Sequence, residues 1–516
     1  MKLVFLILCL SFFSAQSYSG EFEQLEARIY GQSAKNKSLE VNQQFPELHQ
    51  LALELAEYAL PFHRQVLADI KKGKPLHGQQ LTILHKLVSC YMVLGYQLEK
   101  VAEGGSAQNI SILANLDRIY TFDNAYAPFY ANKKFRRLVN AADKSYDVAK
   151  KELKRHIKRL ISKASLKKIN KQIKKFLSNS NPLLVERVQD HPAFESVKDK
   201  KKFRKLRKKM AGQGFSDFWG RVTQFAVHHL SGAFGNGAGA VRWRKGHLYK
   251  DPVILKEILG QLRPLDVITE KTRFALTDTF IPGHFGHNAI WLGTKAQLLE
   301  IGMWDHPSIV PIQKDIEAGR SIIETDRSGT HLKSMKDFMN VDEFGLLRLK
   351  NGDFTERRMR SIYKVAIAQL GKTYDFNFDV ETTDKLVCSE LLYQAFGDIN
   401  WPTEDYIGRT TISPDNVVSL SLYNGTPLEL VYFIRGTKEG ITHKSLDAMA
   451  ADIGFVKKDG EFFRPEKVCV KEKVRRIGPR RRSTRSGSNS ITVNKCHTEY
   501  IPLNYQGHDR IRDFNH

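Results

Sequence analysis

Cys388 stands at the start of a helical pattern in a chain of 516 residues. Apolar residues follow it at the spacing of one helix face, namely Leu391, Leu392, Ala395 and Phe396. The N-terminus of a helix carries partial positive charge, which favours the thiolate over the thiol. A thiolate in this position is a nucleophile suited to attack on a carbonyl carbon.

A nucleophilic cysteine needs a base and a group that orients that base. His287 precedes a strand-like run, residues 288–293, and a strand holds an imidazole rigidly. Glu324 ends the next candidate strand and could accept a hydrogen bond from the far ring nitrogen. The residues alone leave a second interpretation open, because a single Cys at a helix start or a single His on a strand is more often packed than catalytic.

His284 and His287 also form a close pair that could bind a metal ion. The sequence shows no acid or thiol at a spacing that would complete the ligand set. We therefore expect neither a metal nor a cofactor.

The elements that must position these residues lie in a region of mixed helices and short strands, from about residue 255 to 435. Five β-like runs occur in it, at residues 266–269, 288–292, 321–324, 346–349 and 430–434. The clearest helix follows Asp353, with Glu356 three residues later as in a capping box, and Gly371 is a fitting end. This mixture predicts an α+β domain.

Four segments follow one another in this region: His287-Asn-Ala-Ile-Trp-Leu-Gly293, Ser321-Ile-Ile-Glu324, Gly371-Lys-Thr-Tyr-Asp-Phe376 and Val387-Cys-Ser-Glu-Leu-Leu392. Two more flank them, at 262–268, where Leu265 replaces the usual glycine, and at 411–414. Together, over about residues 262–435, they resemble the permuted papain-like cysteine hydrolases of the YiiX/YebB type, in the NlpC superfamily.

The resemblance implies that Cys388 is the nucleophile, His287 the general base and Glu324 the group that orients His287. It also implies that Tyr374 lies near the site, where its hydroxyl could donate to an oxyanion or simply pack. The implied reaction is hydrolysis of an amide or ester through a thioester acyl-enzyme. The implied fold class is α+β, with a permuted papain-like catalytic domain preceded by a mostly helical basic region.

We expect the chain to divide into five segments. Residues 1–19 have the layout of a secretory signal peptide, with Lys2, an apolar run at 3–13 and small residues after it. The other segments are a helical basic region (20–230), a Gly-rich linker (231–250), the papain-like catalytic domain (251–440) and a basic C-terminal extension (441–516). The protein is therefore expected to be secreted or periplasmic, and no later run is apolar enough to span a membrane.

Basic residues are concentrated outside the catalytic domain. Residues 144–176 hold thirteen Lys or Arg against two acids, with an apolar stripe between them. They are either solvated helix faces or an arm for an anionic polymer or lipid. The Gly-rich residues 231–240 are a linker or, with the aromatic residues from 215 to 234, a loop that touches a membrane. After about residue 455 the default expectation is a disordered or loosely held basic tail.

Export would place the four cysteines of the mature chain in an oxidising compartment, where disulfides persist. Cys469 and Cys496 lie close together in the terminal region, so a disulfide between them is plausible. Cys90 lies in an apolar helical pattern and is expected to be a small buried hydrophobic residue.

The formal net charge of +24 predicts attraction to an anionic cell-envelope polymer or membrane surface. The leading expectation is an amidase or peptidase on a peptide substrate, with peptidoglycan peptides as the candidate. The alternatives are a lipid acyl hydrolase or acyltransferase at membranes, and a non-catalytic binding protein on the same scaffold. Nucleic acid is not expected as a partner, because neither an aromatic stacking platform nor a known module is visible.

Overall fold

The computed structural model describes residues 17–35, 41–104, 107–199, 201–205, 207, 244–273, 283–350, 355–375, 379–406, 409–475 and 490–507. Three predicted features lie largely outside these ranges. They are the signal peptide up to residue 16, the aromatic and Gly-rich segment from 208 to 243, and the basic run from 476 to 489.

The N-terminal region is helical, as predicted. Its helices are Ser17–Lys35, Val41–Lys71, Gly78–Gly104, Gln108–Ala125, Lys133–Val139, Glu152–Leu160, Lys163–Asn179, Pro182–Gln189 and Phe194–Lys198, with a short 3-10 turn at Lys144–Tyr146. The apolar face predicted from Leu48, Leu51 and Leu55 is fully buried. Within the described ranges, no helix is both long and apolar enough to cross a membrane.

The basic stretch at 144–176 carries its charges on the outer faces of packed helices. Leu153, Ile157 and Leu160 are buried in the core, whereas Lys158 and Arg159 between them are exposed. The stretch therefore has the form of solvated helix faces, and an anionic partner for it stays a proposal.

The region after residue 244 is built on one seven-stranded antiparallel sheet. Across the sheet the strands are β11 (Gly440–His443), β10 (Leu428–Thr437), β5 (Glu343–Leu349), β1 (Val267–Lys271), β2 (His287–Trp291), β3 (Ile322–Asp326) and β4 (Gly329–Lys333). All five predicted β-like runs are confirmed, as β1, β2, β3, β5 and β10. Two short pairs stand apart: β6 (Thr373–Tyr374) with β7 (Lys385–Leu386), and β8 (Glu404–Tyr406) with β9 (Arg409–Thr411).

The helices of this region are Pro252–Gln261, Lys295–Glu300, Gln313–Glu317, Met335–Phe338, Glu356–Ala368, Cys388–Ala395, Pro414–Ser419 and Leu446–Asp452, with 3-10 turns at Val310–Ile312 and Leu420–Leu422. They cover both faces of the sheet, because alternate side chains of each strand enter different cores. Ile290 and Ile323 face the core shared with the N-terminal helices. Ala289 and Ile322 face a smaller core under the Pro252–Gln261 and Met335–Phe338 helices.

The N-terminal helices pack directly against the region after residue 244. The Tyr393 hydroxyl donates to the backbone oxygen of Leu76 at 2.9 Å. Lys372 Nζ lies 3.0 Å from Asp143 Oδ1, and both side chains are at most 2% exposed. The two regions therefore share one apolar core and at least one buried ion pair.

The expectation of a disordered C-terminal tail is wrong for residues 456–475 and 490–502. They form a second antiparallel sheet, in which β12 (Val456–Lys458) pairs with β13 (Glu461–Arg475) and β13 with β14 (Ser490–Pro502). Cys469 and Cys496 are direct cross-strand partners and form a disulfide, which confirms the pairing expected from the sequence. A composition-based prediction missed the sheet because strand pairing depends on contacts that are distant in sequence.

The boundaries of one predicted helix also change. The helix begins at Glu356, and its cap is Thr355, whose side chain accepts a hydrogen bond from the Arg358 backbone. Asp353, the predicted cap, lies outside the described residues. Gly371 lies three residues beyond the helix end and has a positive φ of 77°.

Substitution of Gly78 tests how closely the N-terminal helices pack against the Cys388–Ala395 helix. A Cβ at this position would lie 2.0 Å from the backbone oxygen of Tyr393. Gly78→Ala must push the N-terminal helices away from the Cys388–Ala395 helix. We expect the free energy of unfolding to fall by about 1–3 kcal/mol, the usual cost of overpacking, as measured by urea denaturation.

Gly31→Ala is the matched control, because Gly31 also lies in a helix and a Cβ there meets nothing within 4 Å. It should leave the free energy of unfolding unchanged or raise it by up to about 1 kcal/mol through helix propensity. Equal stabilities for the two variants would contradict the close contact at Gly78.

Candidate active site

Cys388 is the first residue of the Cys388–Ala395 helix, as the apolar spacing predicts. Val387 before it is extended, and its N–H donates to Glu390 Oε2 at 2.8 Å, which closes the first turn. Every residue of this helix is buried, and Cys388 itself is 6% exposed. The sulfur therefore lies at a helix N-terminus that is fixed by its surroundings.

The helix is tied to the strand that carries the predicted base. The Ser389 hydroxyl donates to Asn288 Oδ1 at 2.9 Å, and the Asn288 backbone N–H is hydrogen bonded to the Cys388 sulfur. His287 is the first residue of β2, directly before Asn288. The thiol and the imidazole are thereby brought together from segments about 100 residues apart.

Glu324 reaches His287 because of the register between β2 and β3. Ala289 is the direct cross-strand partner of Glu324, and His287 lies two residues along on the same face. Glu324 Oε2 lies 2.9 Å from His287 Nε2, and the Glu324 side chain is 1% exposed. The other ring nitrogen, Nδ1, remains for the side-chain hydrogen bond between His287 and Cys388.

The charges of this trio shift both pKa values in the direction that catalysis needs. Burial lowers the pKa of His287, but the charges of Cys388 and Glu324 and the hydrogen bonds to them raise it well above 6.5. Burial raises the pKa of Cys388, but the charge and hydrogen bond of His287 outweigh burial and lower it from 9.0. Both shifts favour the thiolate–imidazolium form of the pair over the neutral thiol and imidazole.

Two residues that the sequence analysis missed complete the environment of Glu324. His331 Nε2 and Lys333 Nζ, both on β4, lie 3.1 Å and 2.7 Å from Glu324 Oε1. Against the opposing effect of burial, the hydrogen bonds from His287 and His331 and the nearby positive charges hold the Glu324 pKa well below its ordinary value. The alternation of His331 and Lys333 along a strand was the signal that could have found them.

Tyr374 lies on β6, whose partner strand β7 leads into the Cys388 helix. Burial raises the pKa of its hydroxyl well above 10, and the charge of Cys388 acts in the same direction. Tyr374 is therefore a neutral hydroxyl close to the sulfur, able to donate a hydrogen bond.

Asp415 positions the segment before β2 and was also missed. Its two carboxylate oxygens accept hydrogen bonds from the backbone N–H groups of His284 and Phe285, at 2.7 and 2.8 Å. Gly283 lies against this carboxylate with a φ of 115°. Asp415 thus fixes the backbone that leads into His287.

Leu265 stands at the position where the resembling family usually has a glycine. It has a left-handed backbone with a φ of 66°, which glycine adopts without strain and leucine does not. Its side chain is 1% exposed and joins the larger core. Burial of the leucine side chain offsets the backbone cost.

Two clusters of potential metal ligands lie close to this site, and basic side chains already bind their carboxylates. In Glu324–Asp326–His331, Glu324 bonds to Lys333. In His284–Glu343–Asp452, arginines bond to Glu343 and Asp452, namely Arg273 and Arg435. His284 thus binds Glu343 at 2.8 Å and does not share a site with His287.

The arrangement of Cys388, His287 and Glu324 is similar to the sites of papain-like cysteine hydrolases. Residues 261–445 match the family model described as "permuted papain-like amidase enzyme, YaeF/YiiX, C92 family". The match confirms the resemblance inferred from the motifs and supports a cysteine hydrolase in general. No match was found among curated proteins or among solved structures.

The reactivity of Cys388 with iodoacetamide tests the thiolate–imidazolium pair. Because its pKa is lowered, Cys388 should react at about pH 6, where a free thiol of pKa about 8.5 is almost fully protonated. His287→Ala should lower the rate at that pH on the order of 10- to 100-fold. Peptide mass spectrometry gives the rate for each cysteine.

Two controls belong to this experiment. Cys90 is fully buried and its pKa is raised by burial, so it should stay unlabelled in the folded protein. His284→Gln removes a second histidine–glutamate pair, between His284 and Glu343 on β5, and should leave the Cys388 profile unchanged. An unchanged profile in His287→Ala would rule out the pair.

Glu324→Gln tests the orienting carboxylate. Without its negative charge the imidazolium loses stabilisation, so the apparent pKa of Cys388 should rise and alkylation at about pH 6 should fall about 10-fold or more. The pH profile of alkylation measures the change. Glu343→Gln, at the buried carboxylate paired with His284, should not move the profile, and equal shifts in the two variants would refute the assigned role.

Proposed function

We propose that the protein is an exported cysteine amidase or peptidase that uses Cys388, His287 and Glu324 as its catalytic triad. The observation that carries the proposal is the position of His287, which is hydrogen bonded to Cys388 on one side and to Glu324 at 2.9 Å on the other. A nucleophile, a base and a group that orients the base are the parts required for acyl transfer.

The proposed reaction begins with attack of the Cys388 thiolate on the carbonyl carbon of an amide. The negative charge that develops on the carbonyl oxygen is stabilised by N–H groups of the first helical turn, which have no acceptor within the helix, and by the Tyr374 hydroxyl. The His287 imidazolium gives its proton to the leaving nitrogen, and the carbon–nitrogen bond breaks. The product is an amine and a thioester on Cys388.

The second half of the reaction regenerates the site. His287, now neutral, takes a proton from water, and the resulting hydroxide adds to the thioester carbon. The carbon–sulfur bond then breaks, which releases the acid and restores the thiolate beside the imidazolium. Glu324 stays ionised throughout, because its role is to orient His287 and stabilise its charge.

Export and the substrate class rest on features outside the triad. Residues 1–19 have the composition of a signal peptide, and the Cys469–Cys496 disulfide supports an oxidising compartment. The net charge of +24 favours an anionic envelope polymer. Peptidoglycan peptides contain amide bonds and lie within an anionic cell envelope, so we propose them as the substrate.

A lipid acyl hydrolase or acyltransferase is the second candidate. It is favoured by the exposed lysines of the Lys163–Asn179 helix, which would bind anionic lipid head groups. The third alternative, a non-catalytic binding protein, is disfavoured by the opposed pKa shifts of His287 and Cys388.

Product release from two substrates separates these candidates. The mature protein should release new amino groups from purified sacculi and leave acyl chains on phospholipid vesicles intact. Cys388→Ala should lower the rate of amine release by at least about 1000-fold, because it removes the nucleophile. His284→Gln should retain it.

Fatty-acid release that depends on Cys388 would instead identify the lipid acyl hydrolase. A failure of both substrates, together with an ordinary alkylation profile for Cys388, would favour the binding protein.

A further inference from the structure

A third cluster of potential ligands lies in the N-terminal helical region, away from Cys388. His49 lies on the Val41–Lys71 helix, Asp117 on the Gln108–Ala125 helix, and His191 directly after the Pro182–Gln189 helix. His49 Nδ1 and His191 Nε2 lie 2.8 Å and 2.9 Å from the same carboxylate oxygen, Asp117 Oδ1. Three segments therefore direct two imidazoles and one carboxylate to a single point.

Asp117 is a buried carboxylate whose charge is incompletely compensated within the described residues. Its side chain is 0% exposed, and within the described residues its second oxygen, Oδ2, has no hydrogen-bond partner. Buried carboxylates are normally compensated by charge and by hydrogen bonds to both oxygens. In the described parts of the chain, the ion-pair partners of Asp117 are the two imidazoles alone.

The contrast with the two clusters near the catalytic site is informative. There, Lys333 neutralises Glu324, and Arg435 neutralises Glu343. A permanent cation on the carboxylate leaves no need for a metal ion. Around Asp117, no Lys or Arg of the described residues takes this role, so a cation from outside would complete the site.

The donor set suits a particular class of ion. One atom from each of the three residues lies within 4.8 Å of the others. Two imidazole nitrogens and one carboxylate oxygen form a ligand set for Zn²⁺ and related divalent transition metals. Both histidines line a cavity of about 380 Å³, which provides room for a further ligand such as water.

We propose that His49, Asp117 and His191 bind a divalent transition-metal ion of the zinc class, with a coordination position open to this cavity. The ion takes the place of the hydrogen bonds from the two imidazoles to Asp117, and each imidazole binds it as a neutral ring that carries its one proton on the nitrogen facing away from the ion. For His191 this proton moves from Nε2 to Nδ1, so the ring gives up the hydrogen bond from the Ala193 N–H.

The site does not depend on the proposed catalytic function. The test therefore uses the full chain carrying Cys388→Ser, which removes the active-site thiolate as a competing zinc ligand. Zinc is titrated against a chelator, and bound metal is counted by mass spectrometry after gel filtration. Cobalt replaces zinc in a second titration, because its visible spectrum reports imidazole and carboxylate ligands.

The expected result is one zinc ion per chain with micromolar or tighter affinity. Asp117→Asn and His191→Gln should weaken binding by at least about 100-fold and remove the cobalt spectrum. His443→Gln is the matched control, because that side chain is 62% exposed and lies on β11. It should bind zinc as the parent does.

His49→Gln keeps the test decisive if either buried variant fails to fold, since His49 is only half-buried. It should also weaken binding by at least about 10-fold. Equal binding by His49→Gln and the parent, or no zinc bound by the parent at micromolar concentration, would overturn the proposal. In the latter case the cluster is an ion-paired contact between three helical segments.

Discussion

The seven-stranded sheet and the candidate active site depend on one buried negative charge, that of Glu324. A carboxylate that is 1% exposed is tolerated only when cations and hydrogen-bond donors surround it. Strands β2 and β4 flank β3 and supply them, from His287 on one side and from His331 and Lys333 on the other. A slip of one residue in either pairing would turn these donors to the opposite face. Formation of the sheet in this register and assembly of the site are therefore the same event.

Much of the site was predictable because its chemistry is local in sequence. Cys388 was placed at a helix start by the apolar spacing behind it, and His287 at a strand start by the run after it. Lys333 and Asp415 were not predicted from the sequence, because their contacts form only when distant segments of the chain come together. Asp415 binds backbone N–H groups about 130 residues away, and no pattern around it indicates that contact. The five strands were predictable because each contains a short cluster of apolar or β-branched residues, which favour strands.

The elements that the sequence analysis misjudged depend on pairing between distant residues. The β13–β14 sheet is rich in charged and exposed residues, so its composition resembles that of a disordered tail. Pairing with a distant strand and the Cys469–Cys496 bond give it order, and composition alone does not encode either. The packing of the N-terminal helices on the Cys388–Ala395 helix could not be predicted from the sequence for the same reason. It rests on a close backbone approach at Gly78 that no periodicity indicates.

The buried ion pair between Asp143 and Lys372 limits how well the region after residue 244 would fold without the N-terminal helices. Lys372 lies two residues before Tyr374, and its ammonium is compensated by a carboxylate from the N-terminal helices. A fragment covering only residues 261–445 would keep Cys388, His287 and Glu324 but expose apolar surface and leave Lys372 without its counter-charge. Breaking a buried pair by loss of one partner costs about 3–5 kcal/mol, a large part of the stability of a typical domain. Recombination that moves this region alone into another chain would therefore separate Lys372 from its counter-charge and uncover the apolar surface that the N-terminal helices bury, so the region needs a replacement for both.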